Sequence, residues 1–245
     1  MKYGLRNLLR KAGVEAYRYS VHTSTGAQLN RLLGHCKIDL VLDVGANGGH
    51  YATELRAHGY AGRIVSFEPQ AAAHARLAIA ASGIPGWAAA PRVALGDTDG
   101  EITIHVAGNS LSSSILDMLP EHERAAPGSA YVGSEIVALK RLDSVAGEFL
   151  GSARRILLKI DTQGYEDRVL TGAQGMLHKV VAIQTELSLV PLYSGQPLFD
   201  EMRAKIEAMG FGLFAIFPGY VHEQTGQTLQ LDGFFVRREL MVGAS

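Results

Sequence analysis

The sequence predicts an α/β fold built on a mainly parallel β-sheet with helices on both faces. Apolar runs of strand length alternate with helical patterns along most of the chain. The first such run, 39–44, leads into a glycine-rich turn that opens a helix, as in nucleotide-binding folds. Several later runs end in acidic residues, as the ligand-binding edge of such a sheet does.

Bulk composition limits the possible partners. The chain has 245 residues, 47% of them hydrophobic and 19% charged, which suits one large domain with a small appendage. The net charge of −1 gives no basic surface for nucleic acid, so nucleic acid is not predicted as a partner. Cys36 is the only cysteine, which excludes an intrachain disulfide and a cysteine-based zinc site.

Residues 1–35 are predicted to form a helical extension that covers the cofactor edge of the sheet. Ser24 or Thr25 can cap a helix that runs through Leu33. The sequence shows no signal-peptide core and no apolar stretch near the ~20 residues needed to cross a bilayer, so a cytoplasmic location is predicted. The extension and the irregular segment 107–133 also suggest a homodimer.

The main domain is predicted over 36–240 and opens with two strand–helix units. The strand at 39–44 is followed by a helix at about 48–58. The strand at 63–69 ends in an acidic residue followed by Pro69, which opens an alanine-rich helix because proline is tolerated in a first turn.

The middle of the domain is less regular. A third strand is predicted within 87–95, and 101–106 alternates like a half-exposed strand. Residues 107–133 are broken by serine, asparagine and proline yet keep apolar residues, so they are predicted to form an inserted loop or lid over a site. A short strand follows at 137–142, and then a helix through Phe149.

The C-terminal half returns to the alternating pattern. The run 155–161 is the most strand-like of the chain and ends in an acidic residue. A second apolar strand is predicted at 180–187, and a helix at 199–209. Two closing strands at 211–217 and 229–237 flank a polar hairpin loop.

The first turn indicates which cofactor binds. Gly45, Gly48 and Gly49 follow a G-x-x-G-G spacing rather than G-x-G-x-x-G, and Asp43 lies where a pyrophosphate would pass. A carboxylate repels phosphate and attracts a cationic, amine-bearing ligand. S-adenosylmethionine has an amine and a sulfonium and no phosphate, so it is the predicted cofactor.

Glu68, at the end of the next strand, can accept both ribose hydroxyls of an adenosine cofactor. NAD uses the same device, so an NAD-dependent oxidoreductase stays an alternative. Glu68 can also be a helix N-terminal acid stabilised by the dipole.

Five acidic residues fall at predicted strand exits, where parallel strands place their C-terminal ends along one edge. Isolated buried carboxylates are costly, so a structural role explains this set poorly. The five are Asp43, Glu68, Asp97, Asp161 and Glu186.

Three motifs, at 43–51, 67–69 and 158–166, resemble the FkbM family of S-adenosylmethionine-dependent methyltransferases. The terminal run 232–237 is also similar to that family's last strand, and Gln163 departs from the glutamate usual there. The resemblance spans roughly 39–238. It implies a Rossmann-like class I methyltransferase fold, with a seven-stranded sheet whose last strand is antiparallel. It also implies O-methylation of hydroxyls on sugars, glycans, lipids or natural products.

We therefore predict that the cofactor is bound by residues of the glycine turn, of two further strand exits and of the serine-rich loop. They are Asp43, Gly45, Asn47, Glu68, Asp97 and Ser113.

The acceptor side of the sheet carries a candidate metal site. Asp161 and Glu186 end neighbouring strands, and two carboxylates can hold a hard divalent cation such as Mg²⁺. Such an ion would lower the pKa of an acceptor hydroxyl, as in the magnesium-dependent catechol-type methyltransferases that this arrangement resembles. Asp232 is a candidate third ligand. The alternative is that Asp161 only hydrogen-bonds the cofactor or the following loop.

Asp161, Glu186 and Lys159 are the predicted catalytic residues. Lys159 lies two residues before Asp161, so strand alternation places both on one face. Lys159 can act as a base if burial lowers its pKa, or it can be a salt-bridge partner. His50, His105 and His222 are weaker candidates for a base.

The sequence therefore predicts an S-adenosylmethionine-dependent O-methyltransferase, assisted by a divalent metal. Its acceptor is a hydroxyl, with a sugar, oligosaccharide or glycosylated natural product preferred. The alternatives are an NAD-dependent oxidoreductase and an RNA methyltransferase on the same fold.

Overall fold

A computed structural model describes residues 2–241, with side chains described from Asn7 onward. The strands among these residues are β1 (Leu40–Val44), β2 (Arg63–Phe67), β3 (Trp87–Ala89), β4 (Ala94–Gly96), β5 (Gly100–Ala107), β6 (Tyr131–Arg141), β7 (Ile156–Ile160), β8 (Val180–Ser188), β9 (Phe211–Pro218) and β10 (Gln230–Arg237).

The helices fill most of the connections between these strands. They are α1 (Lys2–Lys11), α2 (Thr25–His35), α3 (His50–Ala57), α4 (Ala71–Ala81), α5 (Pro120–Ala125), α6 (Leu142–Val145), α7 (Gly147–Leu150), α8 (Glu166–Thr171) and α9 (Phe199–Ala208), with short 3₁₀ turns at Leu177–Lys179 and Arg238–Leu240. Within the described part of the chain, none of them combines the length and apolar character needed to cross a bilayer.

Seven strands form the main sheet in the order β3-β2-β1-β7-β8-β10-β9. Neighbouring strands are parallel from β3 through β8, whereas β10 runs antiparallel to both β8 and β9. This confirms the predicted seven-stranded sheet with an antiparallel last strand. The order also brings the C-terminal ends of β1, β2, β7 and β8 to one edge, where ligands of such sheets bind.

Both faces of the sheet are covered, which explains why four of the five residues in each of the central strands β1 and β7 are apolar. Every residue of β1 and of β7 is buried. Leu40 and Leu42 pack into one core cluster and Val41 into another, because successive side chains of a strand point to opposite faces. Helices therefore pack on both faces, as predicted.

A separate three-stranded sheet, in the order β4-β6-β5, was not predicted. The single strand expected within 87–95 is in fact two, because Trp87–Ala89 joins the main sheet and Ala94–Gly96 joins the small one. Pro91 lies between them and has no N–H for a ladder. The strand expected at 137–142 is Tyr131–Arg141, since it pairs along the whole of β5.

Segment 107–133 folds back over the C-terminal edge of the main sheet. It contains α5 and makes isolated bridges through Ser114 to His105 and through Met118 to Tyr193. At the other end of the chain, Ser24 caps α2 by accepting the Ala27 N–H at 3.2 Å. The domain boundaries at 35 and 240 and the homodimer stay predictions.

Candidate active site

A cavity of about 220 Å³ lies beyond the C-terminal ends of β1, β2 and β7. We call it the first cavity. Four of the predicted cofactor residues, Gly45, Asn47, Glu68 and Ser113, line it, and so does Asp161. The cavity therefore lies where ligands of parallel sheets bind, beyond the C-terminal ends of the strands.

The backbone of the first turn is packed against two neighbouring strands. The N–H groups of Gly45 and Ala46 both donate to the Phe67 carbonyl at 3.0 Å. Gly45 has φ +77°, and a Cβ built on it would lie 1.8 Å from the carbonyl oxygen of Asp161. Only glycine fits this position, because both the backbone conformation and the space exclude a side chain.

Glu68 holds two turns together at the wall of the first cavity. It is 3% exposed, and its two carboxylate oxygens accept the N–H groups of Asn47 and Gln70, each at 2.8 Å. Burial raises the pKa of Glu68 to about 7, although these two bonds lower it. The remaining lone pairs of such a carboxylate can accept ribose hydroxyls.

The residues present fit a nucleoside cofactor. Phe67, Leu95 and Ile104 give the first cavity apolar walls that can contact a base, beside the carboxylate of Glu68. The glycine turn gives a ligand close access to the backbone.

Backbone strain is concentrated around this cavity. Of the described non-glycine residues with positive φ, Asn47 (46°), Ser110 (55°) and Gln163 (54°) line it, and Lys37 does not. Such strain is typical of functional sites. The Ser110 carbonyl accepts from the side-chain amides of Asn47 and Gln70, each at 3.2 Å, which holds the serine-rich loop over the cavity.

Two of the predicted cofactor residues lie away from the first cavity. Asp43 is fully buried, with Oδ1 3.3 Å from Lys159 Nζ and Oδ2 accepting the Ser66 hydroxyl at 3.0 Å. Its charge is therefore neutralised within the protein rather than presented to a cationic ligand. The Asp97 carboxylate accepts from Arg168 at 2.8 Å instead of lining the cavity.

The contacts of Lys159 indicate a salt-bridge partner rather than a base. Its Nζ lies 3.3 Å from Asp43 and 3.5 Å from Asp161. Burial lowers the pKa of Lys159, but the charges of Asp43 and Asp161 outweigh burial, so its pKa is raised. A lysine that holds its proton this firmly does not take one from an acceptor.

The side-chain amide of Gln163 bridges the two predicted catalytic carboxylates. Its Nε2 donates to Asp161 Oδ1 at 2.8 Å and to Glu186 Oε2 at 3.1 Å, while its Oε1 accepts the Tyr193 hydroxyl at 2.9 Å. Gln230 Nε2 donates to the same Glu186 oxygen at 2.6 Å. Desolvation, and then the charge of Asp161, raise the pKa of Glu186 well above its ordinary value.

The metal site predicted from Asp161, Glu186 and Asp232 is not found. Among residues 2–241, no group of three or more His, Cys, Asp or Glu side chains is placed to hold an ion. Amide N–H donors of Gln163 and Gln230 already face the carboxylates where a cation would lie. Asp232, opposite Glu186 in the sheet, lines a different cavity and does not complete the set.

Gln163→Glu is expected to create a cation site between Asp161 and Glu186. A third carboxylate in place of the amide donor brings three acids together, so the melting temperature falls by several degrees and millimolar Ca²⁺ restores it. Differential scanning fluorimetry with EDTA or Ca²⁺ measures this, with exposed Gln224→Glu as the matched control. A wild-type protein that Ca²⁺ stabilises and EDTA destabilises would contradict the absence of a metal site.

A second cavity of about 270 Å³ lies on the other side of Gln163, which lines both. Glu186 lines the second cavity, whereas Asp161 lines the first. His50, His105 and His222 line neither cavity. His122 does line the second, and its lone position in a short helix gave no sequence signal.

Comparison with known proteins agrees with this geometry. The profile of the Methyltransferase FkbM domain matches residues 43–213. A sequence search found no match among curated proteins.

Structural neighbours include two methyltransferases of low sequence identity. An S-adenosylmethionine dependent methyltransferase from Mesorhizobium loti is 8% identical, with 89% of this chain and 100% of that chain covered and a TM-score of 0.49. Magnesium protoporphyrin IX methyltransferase from Synechocystis PCC 6803 with bound SAM is 11% identical, with 96% of each chain covered and a TM-score of 0.46. Both scores lie below 0.5, so we draw nothing about function from either structure.

Proposed function

The chain belongs to the FkbM family of S-adenosylmethionine-dependent methyltransferases, and on that premise we propose that its acceptor is a hydroxyl oxygen. A sugar, an oligosaccharide or a glycosylated natural product is the preferred acceptor. The family match does not favour the NAD-dependent oxidoreductase alternative.

The position of Glu186 carries this proposal. Both of its hydrogen bonds from Gln163 and Gln230 go to Oε2, which leaves Oε1 without a hydrogen bond among the described residues. A hydroxyl must lose its proton as its oxygen takes a methyl group. A carboxylate whose pKa is raised well above its ordinary value is a stronger base, and Oε1 of Glu186 is the atom that would accept the proton.

Bound S-adenosylmethionine supplies a methyl group activated by a positive sulfur. In the proposal, Glu68 and the glycine turn hold the nucleoside in the first cavity, and Asp161 borders that cavity beside Gln163. The Gln163 amide keeps Asp161 and Glu186 in fixed positions across the wall between the two cavities. Alignment of this kind is the main demand of an in-line displacement.

A sugar is preferred for two reasons. The net charge of −1 offers little attraction to a polyanion such as RNA. A sugar hydroxyl is also a weak acid, which makes a positioned carboxylate base valuable where no metal site is found.

Labelled methyl transfer from S-adenosylmethionine to a panel of glycosides, phenols and RNA, with and without EDTA, tests the proposal. Label is expected in glycosides and unchanged by EDTA. Glu186→Gln should lower kcat by about 10²–10⁴-fold, the usual worth of a general base, with the Kd for S-adenosylhomocysteine unchanged.

Exposed Glu101→Gln is the matched control for Glu186→Gln and should keep the wild-type rate. Label that appears only in RNA, or a Glu186→Gln protein that turns over at the wild-type rate, would overturn the proposal.

A further inference from the structure

Two buried polar atoms without hydrogen bonds belong to side chains that line the second cavity. They are His122 Nδ1 and the Tyr220 hydroxyl oxygen. His122 is 3% exposed, and its other ring nitrogen, Nε2, lies 3.0 Å from the Ser112 hydroxyl. The two rings lie 6.3 Å apart, so they form one patch of the cavity wall.

Such atoms are rare in a folded protein. A buried donor or acceptor left without a partner costs about 1–3 kcal/mol, and most are satisfied by protein or by water. Both side chains line the same cavity, where a ligand could supply the missing bonds.

The chemistry of the wall indicates a neutral, hydroxyl-rich ligand. Burial lowers the pKa of His122, so its imidazole is neutral near pH 7 and offers one donor and one acceptor. Glu186 and Gln230 add oxygens and an amide to the same wall. A carboxylate disfavours an anionic ligand, and hydroxyl groups can both donate to and accept from this set.

We propose that the second cavity is the acceptor site and that His122 and Tyr220 hydrogen-bond the hydroxyls of one sugar ring of the acceptor. The inference rests on the proposed function, whose acceptor it locates. The volume of about 270 Å³ lies just below the ~300–1,000 Å³ range of small-molecule pockets, which suits a single ring.

The two side chains with unpartnered atoms come from parts of the chain outside the main strand–helix alternation. His122 belongs to α5 in segment 107–133, and Tyr220 lies in the loop between β9 and β10. Tyr220 also lies beyond the family match at 43–213.

Saturation-transfer NMR with a panel of simple methyl glycosides, on protein saturated with S-adenosylhomocysteine, tests the site directly. The wild type should give glycoside signals. Tyr220→Phe removes the hydroxyl, and His122→Gln replaces the imidazole and its Nδ1 with an amide; each should weaken binding at least 10-fold. Ala126→Phe fills the cavity without removing a polar group and should abolish the signal.

Exposed His178→Gln is the matched control and should bind like the wild type. The Kd for S-adenosylhomocysteine shows whether each variant is folded. If His122→Gln does not fold, Tyr220→Phe and Ala126→Phe still test the site. The proposed acceptor site would be overturned if glycoside signals persisted in the folded variants. It would also be overturned if the wild type gave no signal with any glycoside. Methyl transfer to some other hydroxyl would still support the proposed function, so the two failures are distinguishable.

Discussion

Gly45→Ala is expected to destabilise the protein by about 4 kcal/mol or more and to abolish binding of S-adenosylhomocysteine. The alanine Cβ would lie 1.8 Å from the Asp161 carbonyl oxygen, and the residue would have to keep φ +77°. The backbone conformation alone costs ~1–2 kcal/mol for a residue with a Cβ. The remainder comes from separating the ends of β1 and β7, two of the strands that border the first cavity. A loss of this size is exceptional for a single substitution, and the clash with the Asp161 carbonyl explains it.

Gly83→Ala is the matched control for that loss. Gly83 has φ +80°, and nothing lies within 4 Å of a Cβ built there, so its variant carries the conformational cost without the clash. We expect a loss of ~1–2 kcal/mol and an unchanged Kd for S-adenosylhomocysteine. Urea unfolding and isothermal titration calorimetry measure both quantities. Equal losses in the two variants would show that the contact with Asp161 contributes nothing.

The central sheet was predictable because its strands are buried on both faces. Four of the five residues in each of β1 and β7 are apolar, and each strand is followed by a glycine turn or an acidic residue. The small sheet was harder to predict, because β5 and β6 have mixed exposure. The start of β6 lies in the segment 107–133, which was predicted to be a loop. The pairing of β5 with β6 joins residues far apart in the sequence, so a local sequence pattern does not reveal it.

The lining of the first cavity was largely predictable, and the contacts around Asp43 and Glu186 were not. Gly45, Asn47 and Glu68 follow from local rules for turns and strand ends. The partner of Asp43 depends on the register of β1 with β7, which places Asp43 opposite Lys159. Likewise, Gln230 reaches Glu186 only through the pairing of β8 with β10. The sequence showed the carboxylates and suggested a metal, whereas the contact of the Gln230 amide with Glu186 depends on strand pairing that the sequence does not show.

Glu68→Gln is expected to raise the Kd for S-adenosylhomocysteine at least 100-fold. Each oxygen of the carboxylate accepts a backbone N–H, from Asn47 and from Gln70. Glutamine has one acceptor oxygen, so its NH₂ group would face one of these two backbone N–H groups. Both groups are donors, so that hydrogen bond would be lost. We expect a loss of about 1–3 kcal/mol in unfolding free energy, in addition to the loss of charge-assisted bonds to the ribose. Exposed Glu148→Gln should change neither quantity.

The same carboxylate should make cofactor affinity depend on pH. Burial raises the pKa of Glu68 from 4.5 to about 7, so the folded protein binds more protons than the unfolded chain between these values. The stability that this shift contributes is fully present below about pH 4.5 and is lost as the pH rises through about 7. In the proposed role of Glu68 the ribose hydroxyls bind the ionised form, so affinity should instead rise with pH, about tenfold per unit below pH 7, and level off above it.

Isothermal titration calorimetry of S-adenosylhomocysteine binding between pH 5.5 and 8.5 checks this dependence. Below pH 7 the wild type should release close to one proton per cofactor bound, which titrations in buffers of different ionisation enthalpy measure directly. Glu68→Gln should lose both the slope and the proton release, while buried groups such as Glu166 and Asp232 remain to titrate in both proteins. The difference between the two proteins therefore isolates Glu68. An equal pH slope in both would mean that the ribose does not bind the Glu68 carboxylate.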